Sequence, residues 1–275
     1  MATQREKAEQ FRALHVPGKP VVLVNAWDAI TARIIASLGY EAVATTSAGV
    51  TWAEGFADGQ SLGRERMLGA VTRVVHAVSL PVTADLEGGY GTTVDDAIAT
   101  ARGAIEAGAI GLNFEDGLEG SSDLIDAELQ AQRIRAIRRT GDELGVPLVI
   151  NARTDAIFNG EGEESELMAE AIRRARIYRD AGADCIFVPG ASERDEIATL
   201  VSQIGAPLNV LAGPATPGIA ELAALGVARV SLGSRPISYA LGAFRDAARE
   251  VRERGTYGWA ANGVPYAELN ALSRE

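Results

Sequence analysis

The sequence has 275 residues, of which 47% are hydrophobic and 5% aromatic, so it can form one large α/β domain with a core of small aliphatic side chains. Its 26 basic and 37 acidic residues give a net charge of −11, which argues against nucleic acid and anionic membranes as partners because both require a basic face. A single cysteine, Cys185, excludes an intrachain disulfide, and the polar N-terminus and lack of a long apolar run predict a cytoplasmic protein.

The predicted elements begin with a short helix near 5–14, and eight short apolar runs follow. Four runs come after a glycine that ends a helical stretch, and four come after Pro or Gly-x-Pro, which a helix does not tolerate. Short runs without alternation are typical of strands buried on both faces. The runs are 21–25, 40–44, 82–86, 109–112, 148–152, 183–188, 208–211 and 227–230. Helical patterns follow them at 28–38, 64–78, 94–107, 127–144, 163–181, 193–204, 217–225 and 236–252.

Eight strand–helix units in this length predict a (β/α)₈ barrel of the TIM type. A doubly wound open sheet is the alternative because it uses the same units, but the count of eight and the lack of a GxGxxG after the first strand favour the barrel. Without a linker or composition shift, residues 1–275 form one domain. The tail 255–275 carries Tyr257, Trp259 and Tyr266, and we expect it to pack on the barrel or on a partner subunit.

Acidic residues follow two neighbouring strands, where the active site of a barrel lies. Asp85 and Glu87 are two residues apart on one strand and point the same way, and Glu115 ends the next strand. Three clustered carboxylates repel one another unless a cation lies among them. Oxygen ligands select a hard ion, so the pattern predicts Mg²⁺ or Mn²⁺; the alternative is ordinary loop acids facing water.

Arg153 and Asn151 share a face at the end of the fifth strand. An arginine there can bind a carboxylate through two hydrogen bonds, although an internal ion pair with Glu115 or Asp155 is the alternative. After the second strand, the small residues from Ser47 can offer backbone N–H groups to an anion.

The segment 51–63, which contains Asp58, is long and polar enough to form a lid. The loops 212–214 and 233–236 lie where many barrels bind phosphate, but Pro236 at a helix start favours plain capping. The histidines, His15 and His76, do not follow strands, and Cys185 lies within an apolar run, so neither residue type is expected in the site.

The run Asp85-Leu86-Glu87-Gly88-Gly89-Tyr90-Gly91 resembles the Asp-x-Asp-x-Gly-[Phe/Tyr]-Gly motif of the isocitrate lyase/phosphoenolpyruvate mutase superfamily. Glu115-Asp116 and Asn151-Ala152-Arg153 follow in the family's order. The resemblance implies Mg²⁺ near the three carboxylates, partly through water, and Asp58 on a gating loop that manages a proton. It implies a homotetramer, a dimer of dimers, in which the eighth helix is swapped between subunits. The residues expected to bind the substrate are Trp27, Ser47, Ala48, Gly49, Asn151 and Arg153.

The stretch 117–123 lacks the cysteine that the family's lyases carry and the asparagine of its mutase. These differences argue against isocitrate cleavage by that route and against phosphonate rearrangement. From the three carboxylates and the resemblance, we expect a Mg²⁺-dependent enzyme that acts on a small 2-oxo acid, or its 2-hydroxy or dicarboxylic precursor. The reaction passes through an enolate stabilised by the metal and Arg153, as in a carbon–carbon lyase or decarboxylase. The alternatives are a mutase or hydrolase of a P–C bond in a phosphonopyruvate-like acid, and a protein that binds a 2-oxo acid without turnover.

Overall fold

The computed structural model describes residues 2–118 and 120–274 and is built on one sheet of parallel strands. Strands and helices alternate along the chain, as in a TIM-type barrel, and the barrel prediction is confirmed. The strands are β1 Val21–Leu23, β2 Asn25–Ala26, β3 Val43–Thr45, β4 Val82–Asp85, β5 Gly111–Glu115, β6 Val149–Arg153, β7 Cys185–Phe187, β8 Leu208–Leu211 and β9 Arg229–Ser231.

Helices cover the outside of the sheet and both ends of the chain. The predicted helices are present with ends within a few residues of the predicted ones. They are α1 Gln4–Ala13, α2 Ala29–Ser37, α3 Ser47–Ala53, α4 Arg64–Ala77, α5 Val94–Glu106, α6 Ala127–Glu143, α7 Glu164–Asp180, α8 Arg194–Ile204, α9 Ile219–Leu225, α10 Arg235–Arg254 and α11 Tyr266–Leu272, with a 3-10 turn at Gly258–Asn262. None of the described helices is long and apolar enough to cross a membrane.

The first predicted strand is divided at Val24, so the sheet has nine segments rather than eight. β1 pairs with β9, whereas β2 pairs with β3, and the two ends of the sheet meet at this division. The side chain of Asn25 joins them: its amide nitrogen donates to the carbonyl of Thr45 at 2.8 Å, and its oxygen accepts from the N–H groups of Leu232 and Gly233 at 3.0 and 2.9 Å. A side chain therefore closes the barrel where the backbone ladder is interrupted.

Residues 47–53, which the sequence predicts as loop, form the short helix α3. Its first five residues are all buried, so packing overrides the weak helix propensity of a segment that contains Gly49. A side chain at Gly49 would lie 3.0 Å from the Cβ of Trp27. The absence of a side chain there lets α3 pack closely against Trp27, two residues before α2.

The amino ends of the strands are covered by α1. Phe11 is fully buried there. Arg12 pairs with Asp184 at 2.8 Å and donates to the carbonyls of Pro147 and Leu148 at 3.1 Å. The predicted N-terminal helix thus closes the end of the barrel opposite to the carboxyl ends of the strands.

The interior of the barrel is unusually polar. Branched apolar side chains normally fill this space in TIM barrels, but here Asn113, Asn151, Asn209 and Arg229 are buried within it. Buried polar groups cost free energy unless they are hydrogen-bonded. This interior therefore suggests that the barrel axis has a role beyond packing.

Candidate functional site

Asp85 lies at the carboxyl end of β4, at the centre of the candidate site. Its Oδ2 accepts two hydrogen bonds from Ser47, one from the backbone N–H and one from the hydroxyl, both at 3.0 Å. Its Oδ1 lies 3.4 Å from the amide nitrogen of Asn113. These donors fix the direction of the carboxylate.

A cavity of about 140 Å³ opens beside Asp85, well below the several hundred Å³ of pockets for drug-sized ligands. Its lining combines polar and apolar residues. The polar ones include Ser47, Asp58, Asn113, Arg153 and Ser231, and the apolar ones include Ala48, Phe158, Phe187, Pro189 and Leu211. A cavity of this size and lining suits a small acid.

Glu87 follows β4 in a left-handed backbone conformation, with φ of +52°, which is uncommon for a residue with a side chain. Its carbonyl accepts from the N–H of Glu115 at 3.1 Å, and its Oε1 accepts from the N–H of Gly59 at 3.3 Å. Its Oε2 is buried and has no hydrogen-bond partner among the described residues. Burial raises the pKa of Glu87 to about 7, and the charges of Asp85 and Asp58 add to this.

Asp58 reaches the cavity from the loop 54–63, part of the predicted lid. Burial raises its pKa, and the neighbouring charge of Asp85 acts in the same direction. The loop is attached to the glycine-rich segment after β4, because the side-chain oxygen of Gln60 accepts from the N–H of Tyr90 at 2.5 Å. The predicted lid therefore places Asp58 beside Asp85.

Arg153 makes the internal ion pairs that were the alternative interpretation of this residue. Its Nη1 lies 2.7 Å from Glu115, and its Nε and Nη2 contact Asp155 at 2.5 and 3.1 Å. Burial opposes its charge, but these two carboxylates outweigh burial and raise the pKa of Arg153. The rings of Phe158 and Phe187 lie 5.5 and 5.9 Å from its guanidinium carbon. Arg153 is thus a fixed cation that also lines the cavity.

The acidic residues do not form a preassembled cage of three metal ligands. Among residues 2–118 and 120–274, no three acidic, histidine or cysteine side chains converge as a metal site would require. Glu115 is bound to Arg153, and Glu87 turns towards Gly59. Mg²⁺, however, is commonly held by one or two carboxylates while it keeps several waters. The exposed edge of Asp85, the side chain of Asp58 and the unpartnered Oε2 of Glu87 fit that mode of binding.

Three of the predicted substrate-binding residues line the cavity, and three do not. Ser47, Ala48 and Arg153 face it. Trp27 and Gly49 pack closely against each other, so that a Cβ on Gly49 would lie 3.0 Å from the Cβ of Trp27. Asn151 is fully buried, and its amide nitrogen donates to Asn113 Oδ1 at 2.8 Å.

Sequence reasoning missed Asn113, Ser231 and the aromatic wall of the cavity. Asn113 lies two residues before Glu115 on β5, so the period of two that selected the acidic residues also points to it.

The glycine-rich segment 88–91 after β4 is held by a side chain that sequence reasoning also missed. The fully buried Arg133 on α6 donates to the carbonyls of Gly88 and Gly91 at 2.5 and 2.6 Å. Nothing near Arg133 in the sequence indicates this role.

The stretch 117–123 lies beside the site rather than in it. Gly117, Leu118, Ser121 and Asp123 border a separate cavity of about 760 Å³ on the other side of Gly88; Glu119 lies outside the described residues. His15 is buried against Phe11, and Cys185 is fully buried within β7. Neither lines the small cavity.

The family model described as phosphoenolpyruvate phosphomutase matches residues 11–252. The chain belongs to this family, and through it to the isocitrate lyase/phosphoenolpyruvate mutase superfamily. An uncharacterized protein of Mycobacterium tuberculosis is 38% identical over 261 residues, which cover 95% of each chain. A crystal structure from Burkholderia cenocepacia, described only provisionally as a lyase/mutase, is 39% identical with a TM-score of 0.90, covering 99% of this chain and 97% of that one. An oxaloacetate decarboxylase of Chromohalobacter salexigens is 29% identical over 98% of this chain and 91% of its own length.

Proposed function

We propose that the protein is a Mg²⁺-dependent enzyme that decarboxylates a small 2-oxo dicarboxylic acid of the oxaloacetate type. The observation that carries the proposal is the composition of the 140 Å³ cavity. It brings Asp85 and Asp58 together with Arg153, a cation suited to a substrate carboxylate. Its described lining has no histidine, cysteine or lysine.

Decarboxylation suits this lining because bond cleavage needs no proton transfer. The C3–C4 bond breaks, CO₂ leaves, and the electron pair moves to the C2 oxygen as an enolate. Water then protonates C3, and the product is pyruvate. Cleavage of a malate-type acid additionally needs a base for the hydroxyl group and an acid for the leaving carbon. The second of these is the group that the stretch 117–123 lacks.

The chain's own residues bind and orient the acid. Mg²⁺, when bound, supplies a positive charge that stabilises the developing enolate. We propose that Asp85 would hold the ion directly and that Asp58, Glu87 and Glu115 would hold it through water. Ser47, Ala48 and Arg153 bind the carboxylate next to the 2-oxo group. Phe158 and Phe187 lie beside Arg153, and the buried Phe187 limits the access of water to the reacting carbon.

The similarity to an oxaloacetate decarboxylase over 98% of the chain supports this choice of reaction. The raised pKa values of Asp58 and Glu87 support a cation site, since both groups lie near Asp85 and an added positive charge would relieve their mutual repulsion.

The deciding experiment measures pyruvate formed from oxaloacetate with Mg²⁺, after subtraction of the uncatalysed and metal-catalysed background. We expect Asp85→Asn to reduce the rate to background, whereas Asp95→Asn, at an exposed position in the first turn of α5, keeps it. A wild-type rate no higher than that of Asp85→Asn contradicts the proposal. Phosphate release from phosphonopyruvate would instead favour P–C chemistry, and tight binding of oxaloacetate without product would favour a binding protein.

For the assembly, we propose the homotetramer with exchanged α10 helices. Only Ile237 of this 20-residue helix is buried. Tyr239, Phe244, Val251 and Trp259 line an apolar groove of about 490 Å³ on it. Exposed apolar surface of this kind commonly marks a protein–protein contact, and a second copy of the chain is the occupant that we propose.

A further inference from the structure

Arg229 lies at the start of β9, inside the barrel, and is fully buried. Within the described parts of the chain, no carboxylate lies at salt-bridge distance from it, and its Nη1 has no hydrogen-bond partner. Burial lowers its pKa to about 10, a value at which the side chain is still cationic at neutral pH. A buried cation without a direct counter-ion is costly, so its position calls for an explanation.

The two hydrogen bonds that Arg229 makes lead to the floor of the small cavity. Its Nη2 donates to Asn113 Oδ1 at 3.2 Å, and its Nε donates to Ser231 Oγ at 3.3 Å. Asn113 and Ser231 both line the cavity. The guanidinium therefore lies directly beneath the floor and is separated from the cavity by these two side chains.

Asn113 transmits the effect of Arg229 to Asp85. Its oxygen is turned towards the barrel axis by the two donors Arg229 and Asn151. Its amide nitrogen consequently points to Asp85 Oδ1, because oxygen and nitrogen lie on opposite arms of the amide. Hydrogen bonding thus links a buried cation, Arg229, through the amide of Asn113 to the carboxylate of Asp85.

Acidic side chains outnumber basic ones around the cavity, and this excess explains why a buried cation is useful there. Five acidic side chains surround the site, namely Asp58, Asp85, Glu87, Glu115 and Asp155, and Arg153 is the basic side chain among the described lining residues. A dianionic substrate entering such a site is repelled by the uncompensated carboxylates. A second cation below the floor offsets this repulsion without occupying space in a cavity of only 140 Å³.

We propose that Arg229 is a positioning residue and the second cation of the site, which orients Asn113 and Ser231 and favours the binding of a dianionic 2-oxo acid. This inference rests on the proposed function. Loss of the charge of Arg229 should change the binding of a cation and of an anion in opposite directions, which loss of a purely structural residue would not do. Removal of the positive charge leaves the carboxylates more attractive to a divalent cation and less tolerant of an anion.

The test measures binding of Mn²⁺, by electron paramagnetic resonance, and of oxalate to the Mn²⁺-loaded protein, by calorimetry. Arg229→Met keeps the length and apolar stem of the side chain and removes its charge. We expect the Kd of oxalate to rise about tenfold, while the Kd of Mn²⁺ stays the same or falls. Arg229→Lys keeps the charge and is expected to stay within about threefold of wild type for oxalate.

A second variant tests the charge without removing Arg229. Cys185 pairs with Asn151 in the ladder between β6 and β7, and Asn151 and Arg229 both donate to Asn113 Oδ1. The Cys185 side chain is therefore buried in the same part of the barrel as the guanidinium. We expect Cys185→Asp to neutralise the charge of Arg229 and to raise the Kd of oxalate as Arg229→Met does. The neutral Cys185→Asn should leave the Kd of oxalate unchanged. Circular dichroism identifies any variant that fails to fold.

The outcomes separate this inference from the proposed function. The role of Arg229 is overturned if Arg229→Met weakens the binding of Mn²⁺ and of oxalate together, or if it changes the Kd of oxalate by less than about threefold. Either result leaves the proposed function intact, because the wild-type protein still binds both. A wild-type protein that binds neither Mn²⁺ nor oxalate overturns both proposals together.

Discussion

Ser47 and Asp85 contact each other twice, through the backbone N–H and the hydroxyl of the serine, and both distances to Asp85 Oδ2 are 3.0 Å. The contact joins the first residue of α3 to the last residue of β4. It therefore ties the orientation of the central carboxylate to a helix that is itself held by burial.

Removal of the Ser47 hydroxyl tests this contact. Ser47→Ala keeps the backbone donor and loses one charge-assisted hydrogen bond, which is worth about 1.5–3 kcal/mol. We expect the kcat/KM for oxaloacetate to fall about tenfold. Ser37→Ala removes a hydroxyl that bonds locally at the exposed end of α2 and is the matched control. Equal activity of the two variants would show that Asp85 does not depend on this donor.

The ion pairs of Arg153 lead to a prediction that separates stability from activity. Arg153→Met leaves Glu115 and Asp155 buried without their cation, and the loss of one partner of a buried pair typically costs about 3–5 kcal/mol. Adding Asp155→Asn removes one uncompensated charge and should recover part of the free energy of unfolding, measured in urea. Activity should remain lost in both variants. Recovery of activity in the double variant would mean that Arg153 does not contact substrate.

The aromatic wall predicts a change in substrate preference. Phe187 lines the cavity, and Phe187→Leu enlarges it at a modest cost in stability. The ratio of kcat/KM for 3-methyloxaloacetate to kcat/KM for oxaloacetate should be about tenfold higher in this variant than in wild type, since one methylene in a pocket is worth about 1–3 kcal/mol. Phe158→Leu, at the exposed rim, should change the ratio less. An unchanged ratio in Phe187→Leu would place the substrate elsewhere.

His15 makes stability depend on pH. Burial lowers its pKa to about 4, whereas an unfolded histidine titrates near 6.5. The unfolded state thus binds a proton first as the pH falls, so the folded state loses up to about 3 kcal/mol between pH 7 and pH 4. We expect His15→Gln to show a smaller loss than wild type in urea unfolding at fixed protein concentration. His76→Gln, at an exposed position, should match wild type; identical pH profiles for all three proteins would refute the assignment.

The exposed face of α10 predicts the state of assembly. Phe244, with 73% of its surface exposed, lies in the apolar groove, and Phe244→Glu places a charge there. Light scattering after gel filtration should find a tetramer for wild type and a smaller species for Phe244→Glu. Arg245→Glu, next to it and paired with Asp246 outside the groove, should remain tetrameric. A monomeric wild type would remove the basis of the proposal.

The fold could be predicted from the sequence because its signals are local. Glycines such as Gly108 and Gly182 end helices with positive φ, as their positions before apolar runs indicate. The division of the first strand at Val24 and the helix α3 were missed because both depend on distant contacts, the first on Asn25 with Leu232 and the second on burial of a glycine-containing segment.

The site was predicted in part for the same reason. Period-two spacing indicated Asp85 and Glu87 as neighbours, but it carries no information on where each carboxylate points. Glu115 faces Arg153, and Glu87 turns away through its left-handed backbone. The contribution of Arg229 was not predictable, since an arginine in an apolar run gives no local sign that it contacts a residue 116 positions earlier.

The side chain of Asn25 has a consequence for the mouth of the cavity. It is itself part of the cavity lining, and it takes over from the backbone ladder between the first and the last strand. The rim at this point is fastened by three hydrogen bonds from one amide, while the opposite rim is a continuous ladder. At this point, hydrogen bonding at the rim of the cavity thus depends on one uncharged side chain that makes no hydrogen bond to the acidic groups.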